Sequence, residues 1–156
     1  EGFFYPLDRI RHWNRLYGTR GFTQYQCVLP REAGPQAVHR LMSTLTQRGG
    51  ASFLAVIKDF GRDGAGMISF PRPGITLALD IPLRDDTQTL VDALNQQVIA
   101  DGGRVYLTKD SLTRADDFRR MDGARLDAFN AVRDRWDPER RFKSALSVRL
   151  LGDRLS

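Results

Sequence analysis

Two helical stretches in this chain each end in a pair of glycines, and a short apolar strand follows each pair. Pro35 opens the first helix and Gly49-Gly50 closes it, whereas Gly102-Gly103 closes the second. Glycine suits these ends because it adopts the left-handed backbone that terminates a helix. Apolar and alternating runs predict four strands, at 22–29, 53–60, 75–81 and 104–107. The order β-α-β-β-α-β predicts an α+β, ferredoxin-like unit, with an antiparallel sheet and both helices on one face.

The remaining segments are predicted to be helical. Residues 7–17 place apolar side chains at helical spacing, and Asp85 and Asp86 are expected to cap the second helix of the sheet unit. Further helices are predicted at 115–121, 124–136 and 142–151. We therefore predict two units, a ferredoxin-like domain over 1–107 and a helical C-terminal segment over 108–156. Apolar stripes on the second unit predict that it packs on another domain.

Composition excludes several classes of protein. No apolar run approaches the roughly 20 residues needed to cross a bilayer. The first residues have neither the basic nor the apolar region of a signal peptide, so we expect that the sequence starts at an internal cut in a longer chain. Cys27 is the single cysteine, and His12 and His39 lack ligand-spaced companions, so neither a disulfide framework nor a metal site is expected. A buried thiol in a reducing, cytoplasmic compartment fits this usage.

The net charge of +5 raises the question of a nucleic-acid partner. Much of the arginine excess lies in the last third of the chain, where it alternates with aspartate and glutamate. Interleaved charges are typical of a solvated helix face or of a surface that contacts another domain, whereas a phosphate-binding stripe is less mixed. We therefore expect no nucleic-acid partner, although the excess positive charge could attract an anionic substrate.

Strand alternation divides the predicted sheet into two faces. The large apolar residues of the third strand are expected beneath the helices, so Thr76, Ala78 and Asp80 of that strand are expected on the opposite face. The opposite face then collects an amide pair, an ammonium, an aromatic ring and small residues: Gln24, Gln26, Lys58, Phe60, Thr76 and Ala78. Such a face is either simply wet and polar or the lining of a small-molecule pocket. The small residues at 76 and 78 favour the pocket.

The segment 102–111 delivers Tyr106, Lys109 and Asp110 from the exit of the fourth strand. A lysine directly after a strand is held in position, whereas most lysines move freely on the surface. An ammonium held there could order a substrate hydroxyl or stabilise developing negative charge. From position alone, Lys109 is either a substrate-handling residue or an ordinary surface residue.

Six ordered motifs carry a resemblance that covers nearly the whole chain. They are Tyr-Pro-Leu-Asp at 5–8, Trp-Asn-Arg-Leu-Tyr-Gly at 13–18, Gly-Phe-Thr-Gln-Tyr-Gln at 21–26, Phe-Pro-Arg-Pro-Gly at 70–74, Gly-Gly-Arg-Val-Tyr-Leu-Thr-Lys-Asp-Ser at 102–111, and Asp-Pro-Glu-Arg-Arg-Phe at 137–142 with Ser144 and Ser147. Together they resemble the C-terminal part of FAD-linked oxidoreductases of the vanillyl-alcohol-oxidase type, in particular the decaprenylphosphoryl-ribose oxidase branch.

The resemblance implies a larger protein with an N-terminal FAD-binding domain, an inserted substrate (cap) domain and a C-terminal segment that returns to the flavin domain. In such enzymes the flavin takes hydride from the carbinol of a sugar or alcohol substrate. Lys109 would then be catalytic and, together with Tyr106, would contact the cofactor. The substrate-binding residues would be Tyr106, Gln24, Gln26, Lys58, Phe60 and Thr76.

The chain also departs from this pattern. Thr76 and Ala78 stand where that branch has an Asn and a Cys, which leaves the substrate open. The sequence contains no pyrophosphate loop and no histidine suited to covalent flavin attachment, so FAD is expected only in the full-length protein and the chain alone is expected to be inactive. The alternative is a non-enzymatic ferredoxin-like module for RNA or a small effector. RNA-binding sheets stack bases on aromatic residues, and the predicted face offers only Phe60.

Overall fold

A computed structural model describes residues 11–50 and 52–154 of the chain. Four strands form one sheet: β1 Phe22–Pro30, β2 Ala55–Phe60, β3 Gly74–Pro82 and β4 Arg104–Val105. Their order across the sheet is β2-β3-β1-β4, and each neighbouring pair is antiparallel. Strands β2 and β4 are therefore the edges, and β1 and β3 form the centre. The α+β class predicted from the sequence is confirmed.

Two helices pack on one face of this sheet. Helix α1 spans Gly34–Gln47 between β1 and β2, and α2 spans Thr87–Ala100 between β3 and β4. A single core joins both helices to alternate residues of the strands: Tyr25, Cys27, Leu29, Leu77, Leu79, Ile81, Ala37, Leu41, Leu45, Leu90, Val91, Leu94 and Val98. Burying one such aliphatic side chain contributes about 1.5–3 kcal/mol, so this layer fixes the register of the strands. The β-α-β-β-α-β order with both helices on one face is present.

The start of α2 differs from the prediction in its chemistry. Asp86 occupies the N-cap position, but its side chain makes no capping hydrogen bond. Asp85 instead pairs with Arg20, and Asp86 with Arg84. The hydroxyl of Thr87 accepts a hydrogen bond from the Arg84 amide at 2.7 Å. The predicted aspartate cap was therefore wrong, because both carboxylates bind nearby guanidinium groups.

The fourth strand is shorter than the sequence predicts. It ends at Val105, although the Tyr106 amide still donates to the Gln26 carbonyl at 2.8 Å. The chain then tightens into a 3-10 turn, Leu107–Lys109, which the Lys109 amide closes by donating to the Tyr106 carbonyl at 3.0 Å. Lys109 therefore ends a turn, and the prediction that it directly follows a strand was wrong.

The predicted helix at 7–17 lies partly outside the described residues. The part that is described, Trp13–Tyr17, is a 3-10 helix. It ends at Gly18, whose backbone has a φ of 80°, a conformation that glycine adopts without a side-chain clash.

Helix α3 spans Ala115–Trp136, and α4 spans Ala145–Leu151. The two helices predicted at 115–121 and 124–136 are joined across a kink, where Asp122 has non-helical backbone angles. Helix α4 starts later than predicted because Ser144 and Ser147 form a reciprocal capping box at its first turn. No helix in the described ranges combines the length and the apolar character needed to cross a membrane.

The C-terminal segment buries one end of its apolar stripe and exposes the other. Phe118, Leu126 and Leu150 form a second core within this chain. Further along, Trp136 is 77% exposed and Phe142 is 81% exposed. The expectation that the whole stripe awaits another domain was therefore too broad, since only its far end is uncovered.

Candidate functional site

The sheet face away from the helices, here called the open face, carries the polar residues that alternation assigned to it. Residues directly opposite one another in an antiparallel pair point to the same face, so the register fixes the membership of this face. The opposite pairs are Gln24 with Asp80, Gln26 with Ala78, Lys58 with Thr76, and Phe60 with Gly74. The residues that would line a pocket thus share one surface.

Phe70, from the loop between β2 and β3, lies over part of the open face. Its ring stacks on Tyr106 with the centroids 4.6 Å apart and meets Phe60 edge-on at 5.8 Å. Since Phe60 lies on β2 and Tyr106 directly follows β4, a ring that contacts both must span the two central strands. This cover explains why Thr76 is only 1% exposed although it points away from the helices.

The loop that carries Phe70 is held by two arginines. Arg104 and Arg125 both donate to the Ser69 carbonyl, Arg104 at 2.9 Å, and Arg125 also donates to the Met67 carbonyl at 3.0 Å. Both guanidinium groups pair with the buried Asp122 at the kink of α3. Burial, followed by repulsion from Arg125, lowers the pKa of Arg104. The kink therefore places a carboxylate where it stabilises two cations that fix the wall of the site.

A cleft of about 370 Å³ lies between this loop, the exit of β4 and the kink of α3. Its lining combines aromatic, hydroxyl and charged groups: Ile68, Ser69, Phe70, Pro71, Arg104, Val105, Tyr106, Leu107, Thr108 and Asp122. Among the site residues predicted from the sequence, only Tyr106 lines it. Residues 68–71 belong to a loop, and strand alternation applies only to strands, so the sequence pattern could not assign them to a site.

Thr76 acts within the sheet. Its hydroxyl accepts from the Gln26 amide at 3.0 Å and donates to the Cys27 carbonyl at 2.8 Å. With the hydroxyl engaged and buried, Thr76 does not present it to the surface. The structure brings Thr76 and Gln26 together, and the threonine orients the glutamine side chain.

Asp80 and Tyr17 form a pair that sequence reasoning missed as a site feature. The almost wholly buried Asp80 carboxylate accepts from the Tyr17 hydroxyl at 3.1 Å and from the Gln24 amide at 3.0 Å. Burial, together with the hydrogen bond to Asp80, raises the pKa of Tyr17 to about 12. Alternation had placed Asp80 on this face, but no local pattern links it to a tyrosine 63 residues away. Asp80 thus fixes Gln24 as Thr76 fixes Gln26.

Two lysines flank the open face from opposite edges of the sheet. Lys58 lies exposed on β2, and Lys109 ends the half-buried turn after β4, a turn that contacts β1. The edges are three strand spacings apart, about 14 Å. No carboxylate in the described ranges lies within ion-pair distance of either ammonium. Among the same residues, no group of His, Cys, Asp and Glu could hold a metal ion.

No protein-family model matches the chain. Over 148 residues, 95% of its length, it is 38% identical to decaprenylphosphoryl-beta-D-ribose oxidase of Mycolicibacterium smegmatis, of which it covers 32%. Over 131 residues, 83% of its length, it is 34% identical to an uncharacterized protein encoded in the mprA 5′ region of Streptomyces coelicolor, of which it covers 35%. The chain spans about a third of the length of these curated relatives.

These similarities confirm the resemblance to a decaprenylphosphoryl-ribose oxidase that the motifs indicated. The chain is thus similar to part of such an oxidase, and what the whole protein does is a matter for proposal. Of the two departures noted in the sequence, Thr76 is buried and engaged, and Ala78 is half-buried between Gln26 and Val56 on the neighbouring strands. Of these two positions, Ala78 is therefore the more accessible one.

Proposed function

We propose that this chain is the substrate-binding and C-terminal portion of an FAD-dependent oxidoreductase that oxidises a carbinol by hydride transfer to flavin. The observation that carries the proposal is the placement of Lys109, an ammonium without a carboxylate partner in the described ranges, at the edge of a polar sheet face. The relationship to an oxidase named for a prenylphosphoryl ribose favours a sugar carbinol.

The residues near the exit of β4 fit a flavin. A bound FAD would supply the two-electron acceptor for the reaction. Lys109 would offer the positive charge that stabilises negative charge developing on a reacting oxygen, and Tyr106, three residues earlier, would offer a ring and a hydroxyl. The stacking of Tyr106 on Phe70 holds that ring in one orientation. We therefore assign Lys109 a catalytic and cofactor-binding role and Tyr106 a role at both substrate and cofactor.

The open face would hold the substrate. Gln24 and Gln26 have amides fixed by Asp80 and Thr76, so they would meet sugar hydroxyls with little loss of side-chain entropy. Lys58 would approach the substrate from the far edge, and Phe60 would pack against an apolar part. Thr76 would contribute to substrate binding indirectly, because its hydroxyl orients the Gln26 amide.

The two-unit division is part of the same proposal. Residues 1–107 would form the substrate domain, and the helical segment 108–156 would pack on an N-terminal FAD-binding domain. Trp136 and Phe142, both strongly exposed, are the side chains that such a domain would cover. A cytoplasmic location is proposed from the single, buried cysteine alone.

The test is flavin reduction in the full-length protein with decaprenylphosphoryl-β-D-ribose as substrate. Anaerobic mixing is expected to bleach the visible flavin absorbance, and Lys109→Ala is expected to slow that bleaching by about 10²–10³-fold, the usual loss for one charge-stabilising donor. Lys143→Ala, which removes an exposed lysine before α4, is the matched control and should keep the normal rate. An unaltered rate in Lys109→Ala would contradict the proposed role.

The RNA-binding alternative finds no support in the sheet. Base stacking needs aromatic residues on the open face of the central strands. Within β1 and β3, all of whose residues are described, the one aromatic residue on that face is Phe22, at the start of β1, where it packs against Trp13 and Tyr17. Phe60 lies on the edge strand β2 and Tyr106 follows the edge strand β4, so neither provides a stacking ring on the central strands.

A further inference from the structure

The turn that carries Lys109 is held by little regular pairing. Strand β4 ends at Val105, and the last ladder hydrogen bond runs from the Tyr106 amide to Gln26. Within the turn the Lys109 amide donates to Tyr106, and the Asp110 amide donates to the Leu107 carbonyl at 3.3 Å. Leu107, at the start of the turn, packs against both cores, but these contacts do not hold the end of the turn at which Lys109 lies. The residues that follow Lys109 hold that end.

One arginine of α4 grips the residue next to Lys109. The nearly buried Asp110 carboxylate accepts from Arg149 at 2.7 Å and from the Thr113 amide at 2.9 Å. The same guanidinium donates to the backbone carbonyls of Asp110 and Thr113. The planar guanidinium of Arg149 thus binds three acceptors at once, which fixes their relative positions in a way that a lysine ammonium cannot.

Side chains from the sheet and from α2 complete the attachment. The Ser111 and Thr23 hydroxyls are 2.7 Å apart and hydrogen bonded. The Thr113 hydroxyl accepts from Asn95 at 3.1 Å, and Asn95 in turn accepts from the Tyr25 hydroxyl at 3.0 Å. Residues 110–113 are therefore fixed from three elements, and Lys109 directly precedes them.

We propose that Arg149 is a positioning residue for Lys109, an inference that rests on the function proposed above. Arg149 neutralises the Asp110 carboxylate, so the adjacent ammonium is not drawn into an ion pair with it. The same guanidinium fixes the backbone from which the Lys109 side chain departs. The Lys109 ammonium thus stays unpaired with Asp110, and its backbone is held in place. A displacement of about 1 Å at such a group can lower the reaction rate roughly 10²-fold.

The experiment is a double-mutant cycle on flavin reduction in the full-length protein, with decaprenylphosphoryl-β-D-ribose as the probe. Arg149→Met is expected to lower kcat by about 10- to 100-fold with little change in KM, because Lys109 acts on charge that develops during the reaction. In the Lys109→Ala background the same substitution is expected to have no further effect. Arg149→Lys should recover part of the rate, since it keeps the charge but loses the fork.

Two further variants keep the test decisive. If Arg149→Met fails to fold, Asp110→Asn removes the ion pair with little change of shape and is expected to lower kcat in the same way. Arg141→Met removes an exposed arginine paired with Glu139 and should leave the rate unchanged. Losses that multiply in the Arg149→Met, Lys109→Ala double variant, or a normal kcat in Arg149→Met, would overturn the positioning role. A normal rate in Lys109→Ala would overturn the proposed function instead.

Discussion

At the scale of single residues, the open face is organised by side chains that point outward yet are buried. Thr76 and Asp80 each face away from the helices, and each is covered by an aromatic residue from outside the sheet. Both hold a glutamine in place. Strand alternation assigned all four residues to this face correctly, because it depends only on backbone geometry. It could not assign their burial, which depends on the distant Phe70 and Tyr17.

The engaged hydroxyl of Thr76 predicts a stability loss. Thr76→Val keeps the shape but leaves the Gln26 amide unpaired under Phe70, which should lower the free energy of unfolding by about 1–2 kcal/mol. Urea unfolding measures this change. Thr46→Val removes an exposed helix hydroxyl that bonds only to its own helix, and we expect a change within about 0.5 kcal/mol. Equal effects of the two substitutions would contradict the burial of Thr76.

Cys27 predicts the alkaline behaviour of the core. Burial raises the pKa of its thiol from 9.0 to about 12, so the folded state keeps a proton that the unfolded chain releases. The associated stability is fully present below pH 9.0 and is lost as the pH rises towards about 12. Cys27→Ala should therefore lose less stability than the parent over that interval. Denaturant unfolding at several pH values measures this difference. An equal decline in the free energy of unfolding of the parent and of Cys27→Ala would contradict the raised pKa of the thiol.

At the scale of elements, the glycine pairs after α1 and α2 allowed the β-α-β-β-α-β order to be predicted from sequence. The exit of β4 was less predictable because Tyr106 and Leu107 continue an apolar strand pattern while the backbone already turns. The cleft beside Tyr106 was not predictable at all. It depends on a carboxylate at the α3 kink and on two arginines from different elements, and no sequence spacing records that arrangement.

Helices α3 and α4 are joined by a nearly buried ion pair whose loss should be costly. Arg133 donates to both carboxylate oxygens of Asp153, which lies after α4. Arg133→Met leaves that carboxylate without its partner and is expected to lower the free energy of unfolding by roughly 2–3 kcal/mol. Arg141→Met, which breaks an exposed pair, should cost no more than about 0.5 kcal/mol. Urea unfolding of both variants provides the comparison.

The pH dependence of this pair gives a second check. The hydrogen bond from Arg133 lowers the pKa of Asp153 from 3.8. The stability it contributes is therefore present above pH 3.8 and is lost as the pH falls through the lowered pKa. The difference between the parent chain and Arg133→Met should accordingly shrink in acid. A difference that stays constant with falling pH would contradict the assignment.

At the scale of the whole molecule, exposure rises along the C-terminal apolar stripe from Leu126, through Phe129 and Val132, to Trp136. A helix that is buried at one end and apolar but uncovered at the other is typical of a surface that continues into another domain. The sequence predicted that surface from periodicity. How much of that surface is uncovered could not be predicted, because the partners of Phe118 and Leu126 come from α4 and the 3-10 turn.

The exposed end predicts different effects in the isolated chain and in the full-length protein. Replacing Trp136 and Phe142 by Ser should change the unfolding free energy of the isolated chain by about 0.5 kcal/mol or less, as for other surface positions. In the full-length protein the same change should lower the melting temperature by several degrees. Thermal unfolding of both forms measures this. Ile57→Thr, on the exposed edge strand β2, is the control, and equal shifts in both forms would contradict the domain contact.

We propose that Lys109 contacts a flavin held by another domain of the full-length protein. The most direct measurement is a crystal structure of the full-length protein with FAD bound, in which the distance from the Lys109 Nζ atom to the nearest polar atom of the isoalloxazine ring is read. We predict a hydrogen-bond distance of about 2.7–3.2 Å, with Arg149 still bound to Asp110. A Lys109 ammonium turned to solvent, or paired with a carboxylate away from the flavin, would contradict the account.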